Sequence, residues 1–237
     1  PNPLVAQDAY LEFGHASLAD VTGVIEALPA ERLRGWLTDE AVLPARKGFY
    51  GLALGLTPDG AARRTNAAFL RGLILEPQDD FRAGFDGILG GYLLLQGEAG
   101  LELIEHRYLS DRGAADGDVR HALVALRFYH EYGHEIPVAR LQAALRCVLA
   151  RPEFAAAAIT DLARWQDWQK PESIAALYGD NAYSAPATRL AIVGYLLACP
   201  APEAGQALRQ LRQDDPQGVA AAEQVLSQTG SIAPAKE

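Results

Sequence analysis

The sequence contains no methionine and only two cysteines among its 237 residues. Cys147 and Cys199 lie 52 positions apart inside apolar helical patterns. They therefore provide neither a disulfide framework nor the paired ligands of a zinc ribbon, and we expect both to be small buried hydrophobes. Because a newly made chain starts with methionine, Pro1 predicts a processed or truncated start.

Lysine is also scarce, with three residues in the chain, and the net charge is -9. Nucleic-acid binding depends on clustered basic side chains that neutralise phosphates, whereas the arginines of this chain are scattered singly. No apolar run approaches the roughly 20 residues that a membrane-spanning helix needs. The longest candidate, Gly87–Leu95, is short and rich in glycine. The composition therefore disfavours nucleic acid as a partner and predicts no membrane span.

Strand signals are missing as well. No stretch alternates β-branched and polar residues, and no Asn-Gly or Asp-Gly turn joins two such stretches. Most segments instead begin at a capping residue or a proline, continue with apolar residues at helical spacing, and end at Gly, Asn or Pro. The sequence therefore predicts an all-α fold.

Three of the predicted helices have a defined apolar face. The first follows Asp80 and carries Phe81, Phe85, Ile88, Tyr92 and Leu95, while another of its faces, where glycine lets a neighbouring backbone approach closely, carries Gly84, Gly87 and Gly91. The second begins at Pro137, and we expect it to bury Val138, Leu141, Leu145 and Val148 and to expose Arg140, Gln142 and Arg146. The third begins at Ser184–Pro186, with an apolar face of Leu190, Val193 and Leu197.

Internal repetition suggests how these helices are arranged. The pattern Gly-Tyr-Leu-Leu followed by Glu-Ala-Gly occurs from Gly91 to Gly100 and again from Gly194 to Gly205. Weaker copies begin near Ala9, Phe49, Leu126 and Ile159, so copies recur about every 33 to 42 residues, a period typical of helix-pair repeats. Stacked pairs bury their apolar faces against each other. We therefore predict an α-solenoid of about six stacked helix pairs, a HEAT-like superhelix, over residues 1–229, with a flexible tail at 230–237.

The repeat length, the paired helices and the central stretch Asp161–Arg164 resemble HEAT or armadillo-type repeats over nearly the whole chain. The segments Asp8–Phe13, Arg151–Glu153 and Asp161–Trp168 also resemble a family of uncharacterised planctomycete-type proteins. In that family a helical region follows an N-terminal signal and a β-rich segment. The resemblance implies that the chain is the C-terminal helical part of an exported bacterial protein of the cell envelope, and it implies no activity.

The segment His130–His134 matches the H-E-x-x-H pattern of zinc peptidases. In that pattern two histidines on one helical face bind the metal and the glutamate is the general base. Gly133 is however a typical helix stop, and Pro137 begins a new helix shortly afterwards. We therefore expect His134 to lie in the turn between two helices, away from the face of His130, and no later histidine offers a third ligand.

Two further enzyme classes are built on helical repeats. Di-iron oxygenases of the deoxyhypusine hydroxylase type spread His-Glu pairs over several repeats, whereas His130-Glu131 and His134-Glu135 share one repeat here. HEAT-like DNA glycosylases use Trp, Arg and Asp on a strongly basic surface, and this chain is acidic. Phosphate-binding and serine-nucleophile motifs are also missing. The sequence therefore predicts no catalytic, cofactor-binding or metal-binding residues.

Two of the three tryptophans cluster in the segment Arg164–Trp168. Trp165 and Trp168 can pack the end of one helix onto the next pair, or they can face a partner, because Trp, Tyr and Arg are enriched at protein interfaces. The predicted partner-binding residues are Arg127, Tyr129, Arg164, Trp165 and Trp168. The sequence thus predicts a non-catalytic protein–protein interaction scaffold or a subunit of a larger assembly. The alternative is a metal-dependent enzyme that uses His130, Glu131 and His134.

Overall fold

A computed structural model gives the fold and describes Gly23, Ile25 and residues 28–58, 60–76 and 82–228. Eleven α-helices lie between Ala30 and Gln228 of this described part: α1 Ala30–Thr38, α2 Pro44–Gly55, α3 Ala61–Leu75, α4 Phe85–Ile104, α5 Asp116–Tyr132, α6 Val138–Cys147, α7 Pro152–Arg164, α8 Pro171–Ala176, α9 Pro186–Ala198, α10 Pro202–Asp214 and α11 Pro216–Gln228. Short 3-10 or π-helical segments follow α4, α6 and α8. No strand occurs in the described residues, so the predicted all-α fold is confirmed.

The chain divides into two compact units, Pro1–Ile136 and Pro137–Glu237. Helices α1 to α5 belong to the first unit and α6 to α11 to the second, and each unit has its own buried apolar residues. The predicted division into a solenoid over 1–229 and a tail at 230–237 stays a prediction, since the tail lies outside the described residues, as do Asp80 and Phe81. No described helix has the length and apolar character to cross a membrane, in agreement with the composition.

The core of the first unit is built around a contact between α2 and α4 in which glycines face glycines. Gly48 lies against Gly84, and an added Cβ at Gly48 would be 2.9 Å from the Gly84 Cα. Gly55 lies against Gly91 in the same way. Because the order of contacts is the same along both helices, α2 and α4 run in the same direction. The predicted close approach at Gly84, Gly87 and Gly91 is therefore confirmed.

The same spacing of glycines occurs in both partners of this contact. Gly48, Gly51 and Gly55 have the intervals of Gly84, Gly87 and Gly91, and the two sets are offset by 36 residues. Any side chain at these positions would collide with backbone atoms of the other helix. The cost of glycine inside a helix is thus offset by a backbone contact that no other residue type permits.

Helix α4 begins at Phe85, after Gly84 in the left-handed conformation (φ 80°), and it bends at Gly97, where φ is 53°. Its buried face carries Leu89, Tyr92 and Leu93. The corresponding positions of α9, counted from the second Gly-Tyr-Leu-Leu copy, are Ile192, Tyr195 and Leu196, and all are buried. The two sequence copies therefore occupy helices of the same burial pattern in the two units.

In the second unit the observed helices begin close to the predicted starts at Pro137 and Pro186, but the buried faces differ. Leu141, Leu145 and Val148 are buried as predicted, whereas Val138 is 47% exposed because it lies in the first turn. Gln142 was expected in water and is buried instead. On α9 the buried residues include Val193 but not Leu190 or Leu197, since the face is rotated toward Thr188, Ile192 and Leu196.

The two cysteines are both free thiols of the second unit. Cys199 is buried and Cys147 is only half-buried, so the prediction of burial is confirmed for Cys199 alone. Burial raises the pKa of the Cys199 thiol, which makes this group a poor nucleophile.

Candidate partner-binding surfaces

The C-terminal end of α5 is closed by Tyr129, which is buried. The Tyr129 hydroxyl accepts hydrogen bonds from the backbone N–H groups of Glu135, at 3.2 Å, and Ile136, at 3.3 Å. Its ring covers Gly133, where an added Cβ would be 2.5 Å from the ring carbons Cε1 and Cζ. Burial also raises the pKa of Tyr129. This side chain therefore holds the turn after α5 rather than offering surface to a partner.

The histidines of the H-E-x-x-H pattern are separated by the end of that helix. α5 ends at Tyr132, and Gly133 has an extended backbone (φ -90°, ψ 151°). The prediction that Gly133 stops the helix is confirmed, although its conformation is not the left-handed one of a typical glycine cap. His130 lies on α5 and His134 in the turn, so they do not share a helical face. The described residues contain no group of three or more His, Cys, Asp or Glu side chains able to hold a metal.

An apolar ridge runs along one side of α5, and we define it as Val124, Phe128 and Tyr132. Val124 is 43% and Tyr132 41% exposed, while Phe128 is half-buried. The Phe128 and Tyr132 rings are 5.1 Å apart between centroids. The three residues follow each other at intervals of four, so they form one continuous row along the helix. Arg127 is half-buried and Glu131 is exposed beside them.

The C-terminal end of this ridge adjoins a cleft of about 260 Å³. Its walls are Gly55, Leu56, Thr57, Arg63, Leu94, Tyr129, Tyr132, Gly133, His134 and Glu135. Arg63 donates a hydrogen bond to the Leu94 carbonyl oxygen at 2.6 Å and approaches Glu135 at 3.5 Å. Ridge and cleft together give the first unit a mixed surface with an apolar centre and charged edges.

The sequence could have revealed this ridge. Val119, Leu123 and Leu126 lie on the buried side of α5, and Val124, Phe128 and Tyr132 form a second apolar row on the same helix. A helix with one buried face needs one apolar stripe. The second apolar stripe is therefore the sequence signal for this ridge.

The segment Arg164–Trp168 of the second unit closes the C-terminus of α7. Gln166 has a left-handed backbone (φ 55°). The N–H of Gln166 donates to the Ala163 carbonyl and that of Asp167 to the Leu162 carbonyl. This pair of bonds is a Schellman motif, in which glycine is the usual left-handed residue. The segment is thus a tight helix ending with glutamine in the glycine position.

Side chains from α6 and α9 hold this ending from the inside. The Gln142 amide donates to the Trp165 carbonyl oxygen at 2.8 Å, and the Tyr195 hydroxyl donates to the Asp167 carbonyl oxygen at 2.5 Å. Arg146 forms an ion pair with the buried Asp167 carboxylate. The Trp168 ring meets the Tyr195 ring edge-on, with centroids 5.2 Å apart. Burial raises the pKa of Tyr195 above its usual range, which keeps this hydroxyl a donor.

The five predicted partner-binding residues therefore differ in access to solvent. Tyr129 and Trp165 are buried, Arg127 and Trp168 are half-buried, and the Arg164 side chain is 70% exposed. Binding by this set stays a prediction, but a partner can reach Arg164 directly and cannot reach Tyr129 or Trp165 without rearrangement. The core-packing interpretation accounts for Trp165, whereas the Arg164 guanidinium lies outside, 3.6 Å from the Asp161 carboxylate.

Known proteins offer no guide to these surfaces. Comparison of the chain with protein-family models, with curated proteins and with solved structures finds no match. The resemblance to HEAT and armadillo repeats stays a prediction, and the function has to be argued from the chain's own residues.

Proposed function

We propose that the chain is a non-catalytic protein-binding module whose principal docking surface is the apolar ridge Val124–Phe128–Tyr132. The observation that carries the proposal is the exposure of two large apolar side chains on a helix that already buries its other face. A row of this kind costs solubility unless a partner covers it. Aromatic residues at its centre are the type that contributes most to protein interfaces.

The partner that fits this ridge is an amphipathic helix of another protein. Three side chains, one per turn of α5, match a facing helix with apolar residues three or four positions apart. Arg127 lies on one edge of the ridge and Glu131 near its C-terminal end. A complementary partner helix would place an acidic residue opposite Arg127 and a basic residue opposite Glu131. The ridge alone is small, so the cleft beside Tyr132 is expected to receive a further partner side chain.

A repeat scaffold would present such a ridge on a rigid support. The glycine sets of α2 and α4 share one spacing at an offset of 36 residues, and the Gly-Tyr-Leu-Leu copies share one burial pattern. These features support the solenoid of about six helix pairs as part of the proposal. An envelope location rests on the family resemblance and belongs to the proposal in the same way.

The test compares ridge variants with a matched valine. We expect affinity capture from the source organism to yield one protein that wild type retains and that Val124→Asp and Tyr132→Asp lose. With that partner purified, calorimetric titration should show its affinity reduced about tenfold or more by either ridge substitution. Val138→Asp serves as the control, because Val138 is equally exposed and lies outside the ridge.

Two results would contradict the proposal. One is a purified partner whose affinity the ridge variants leave unchanged. The other is the lack of any protein that binds the purified chain and distinguishes Val124→Asp from Val138→Asp. Circular dichroism of each variant separates lost binding from lost folding.

The alternative function, a metal-dependent enzyme using His130, Glu131 and His134, has a separate test. The geometry does not favour it, since the helix ends between the two histidines. Elemental analysis of purified protein measures bound zinc and iron directly. A stoichiometric metal that is lost in His130→Ala would make the enzyme the better account.

A further inference from the structure

The parallel arrangement of α2 and α4 places two helix N-termini side by side. Both helices start at the same end of their contact, at Pro44 and Phe85, and neither has a side-chain cap. A helix N-terminus carries a partial positive charge, and two neighbouring ones add. Helix N-termini of this kind attract anions.

Basic side chains near the two N-termini add to this positive potential. Acidic residues are the favourable type in the first turn of a helix. The first turn of α2 contains Arg46 and Lys47 and no acidic residue, although an anionic group is the favourable one at that position. Arg82 stands three residues before α4. Asp86, in the first turn of α4, is directed to His121, whose Nδ1 lies 2.9 Å from its carboxylate. The two helix N-termini and the Lys47 ammonium therefore favour an anion at this end of the contact.

A cleft of about 210 Å³ opens at this end of the two helices. Its described lining combines two basic side chains with an apolar wall and contains no acidic residue: Leu37, Pro44, Lys47, Leu73, Arg82, Ala83, Phe85 and Ile88. An apolar wall with basic groups at one side is the complement of a molecule that has an apolar body and an anionic end.

The Arg82 side chain is held in a fixed position beside this cleft. It is 10% exposed, and its guanidinium stacks 3.4 Å from the centroid of the Phe85 ring. Nε and Nη2 donate to the Asp118 carboxylate at 3.1 and 2.5 Å. Because the guanidinium is planar, Nη1 lies on the edge opposite Asp118, and Asp118 does not line the cleft. Nη1 is buried with no hydrogen-bond partner, a costly condition for a charged donor.

We propose that this cleft binds a small amphiphilic carboxylate, with its anionic group at the side lined by Lys47 and Arg82 and its apolar body against Leu37, Leu73 and Ile88. The volume lies below that of a typical drug-sized site, which limits the ligand to a short fatty acid or the last residue of a peptide. The proposal does not depend on the ridge of α5 and would survive its failure.

Calorimetric titration of the full chain tests the proposal with four probes. Octanoate has both parts of the ligand, octanol lacks the charge, and inorganic phosphate lacks the apolar body. N-Acetylleucine represents a peptide C-terminus. We expect octanoate or N-acetylleucine to bind at one site and octanol and phosphate to bind at least tenfold more weakly. The stronger of the two carboxylates shows whether a fatty acid or a peptide end is the natural source.

Substitution of Lys47 locates the site. Lys47→Met keeps the apolar stem and removes the charge, and it should weaken carboxylate binding about tenfold or more. Lys170→Met, an exposed lysine of the second unit, should leave binding unchanged. Equal binding to Lys47→Met and wild type would overturn the proposal, and so would equal affinity for octanoate and octanol.

One more variant tests whether carboxylates of the chain itself occupy the cleft. Asp79 and Asp80 precede Arg82 and lie outside the described residues. Unchanged or tighter octanoate binding by Asp79→Asn/Asp80→Asn supports a site for an external ligand. Octanoate binding that is seen with this variant and not with wild type would overturn the proposal, because the cleft would then serve an internal ion pair.

Discussion

Gln166 shows how one residue can carry a conformation that its type disfavours. A left-handed backbone costs roughly 1–2 kcal/mol for most L-residues, and glycine avoids that cost. The conformation at Gln166 persists because the Schellman bonds hold the peptides on both sides of it, while Gln142 binds the Trp165 carbonyl and Tyr195 the Asp167 carbonyl. The sequence pattern did not indicate this left-handed helix ending, because glutamine is a good helix former and its presence favours continuation of the helix.

We therefore expect Gln166→Gly to stabilise the protein. The Gln166 side chain is exposed to solvent, so the substitution should raise the free energy of unfolding by up to about 1 kcal/mol. Urea denaturation followed by circular dichroism measures the change. A loss of stability would mean that glycine's freedom in the unfolded chain outweighs the relief of the left-handed conformation.

Asp215 makes the stability of the second unit depend on pH. Its pKa is lowered, chiefly by the Gly218 N–H and next by the Tyr178 hydroxyl, both of which donate to its carboxylate at 2.9 Å. A lowered folded-state pKa means that the stabilisation is complete above the ordinary pKa of 3.8 and is lost as pH falls through the folded value.

The variant Asp215→Asn should accordingly be less stable than wild type near pH 6. The difference should shrink as pH falls below about 4, where the aspartate of the unfolded chain takes up its proton. Thermal melts at several pH values give the comparison. A difference that stays constant over this range would show that the charge of Asp215 contributes nothing.

At the scale of elements, the contact between α2 and α4 reverses the usual rule for glycine in helices. Alanine is about 1 kcal/mol more favourable than glycine in a helix interior. At Gly87, however, an added Cβ would collide with the Gly48 carbonyl, which cannot move without separating the helices. Overpacking of this kind typically costs 1–3 kcal/mol or more.

Two alanine substitutions should therefore have opposite effects. Gly87→Ala should lower the free energy of unfolding by about 1–3 kcal/mol, whereas Gly72→Ala in α3, where nothing lies within 4 Å of an added Cβ, should raise it by roughly 0.5–1 kcal/mol. Denaturant titration of the two variants measures both changes in the free energy of unfolding. Equal signs would contradict the backbone contact between α2 and α4.

At this scale the positions of helices could be predicted from the sequence, whereas the face that each helix buries could be predicted only in part. Apolar spacing identified α6 and α9, but Val138 and Gln142 were assigned to the wrong sides. An aliphatic residue in a first turn can be left in water, and an amide can be buried when a carbonyl at a helix end, such as that of Trp165, accepts its hydrogen bond. Neither outcome follows from the hydrophobicity of one helix.

At the scale of the whole molecule, the two compact units each contain several helices and a buried apolar set. The sequence predicted one continuous solenoid because repeat copies recur every 33 to 42 residues, with copies near Leu126 and Ile159 on either side of this division. We expect residues 137–237 expressed alone to retain a helical circular dichroism spectrum and to unfold cooperatively, since a core of about 100 residues is sufficient for an independent domain. An unfolded fragment would show that the units depend on each other.

The candidate sites were less accessible than the fold. The ridge of α5 could be found as a second apolar stripe, but the cleft near Lys47 could not, because Leu37, Lys47, Leu73 and Arg82 come from four separate segments. The register of the glycine contact brings two of them together, Lys47 of α2 and Arg82 just before α4. That register is visible in the shared spacing of Gly48, Gly51 and Gly55 with Gly84, Gly87 and Gly91 only when the two helices are compared with each other.

The closure of α5 by Tyr129 has a spectroscopic consequence. The position of an added Cβ at Gly133 is nearly equidistant from three consecutive ring carbons, at 2.5 to 2.6 Å, so it lies over the face of the ring rather than at its edge. The glycine α-proton on that side sits within the shielding cone of the aromatic ring current. One Gly133 α-proton should therefore resonate well upfield of its geminal partner, and this pair of signals would report the folding of the first unit without any added label.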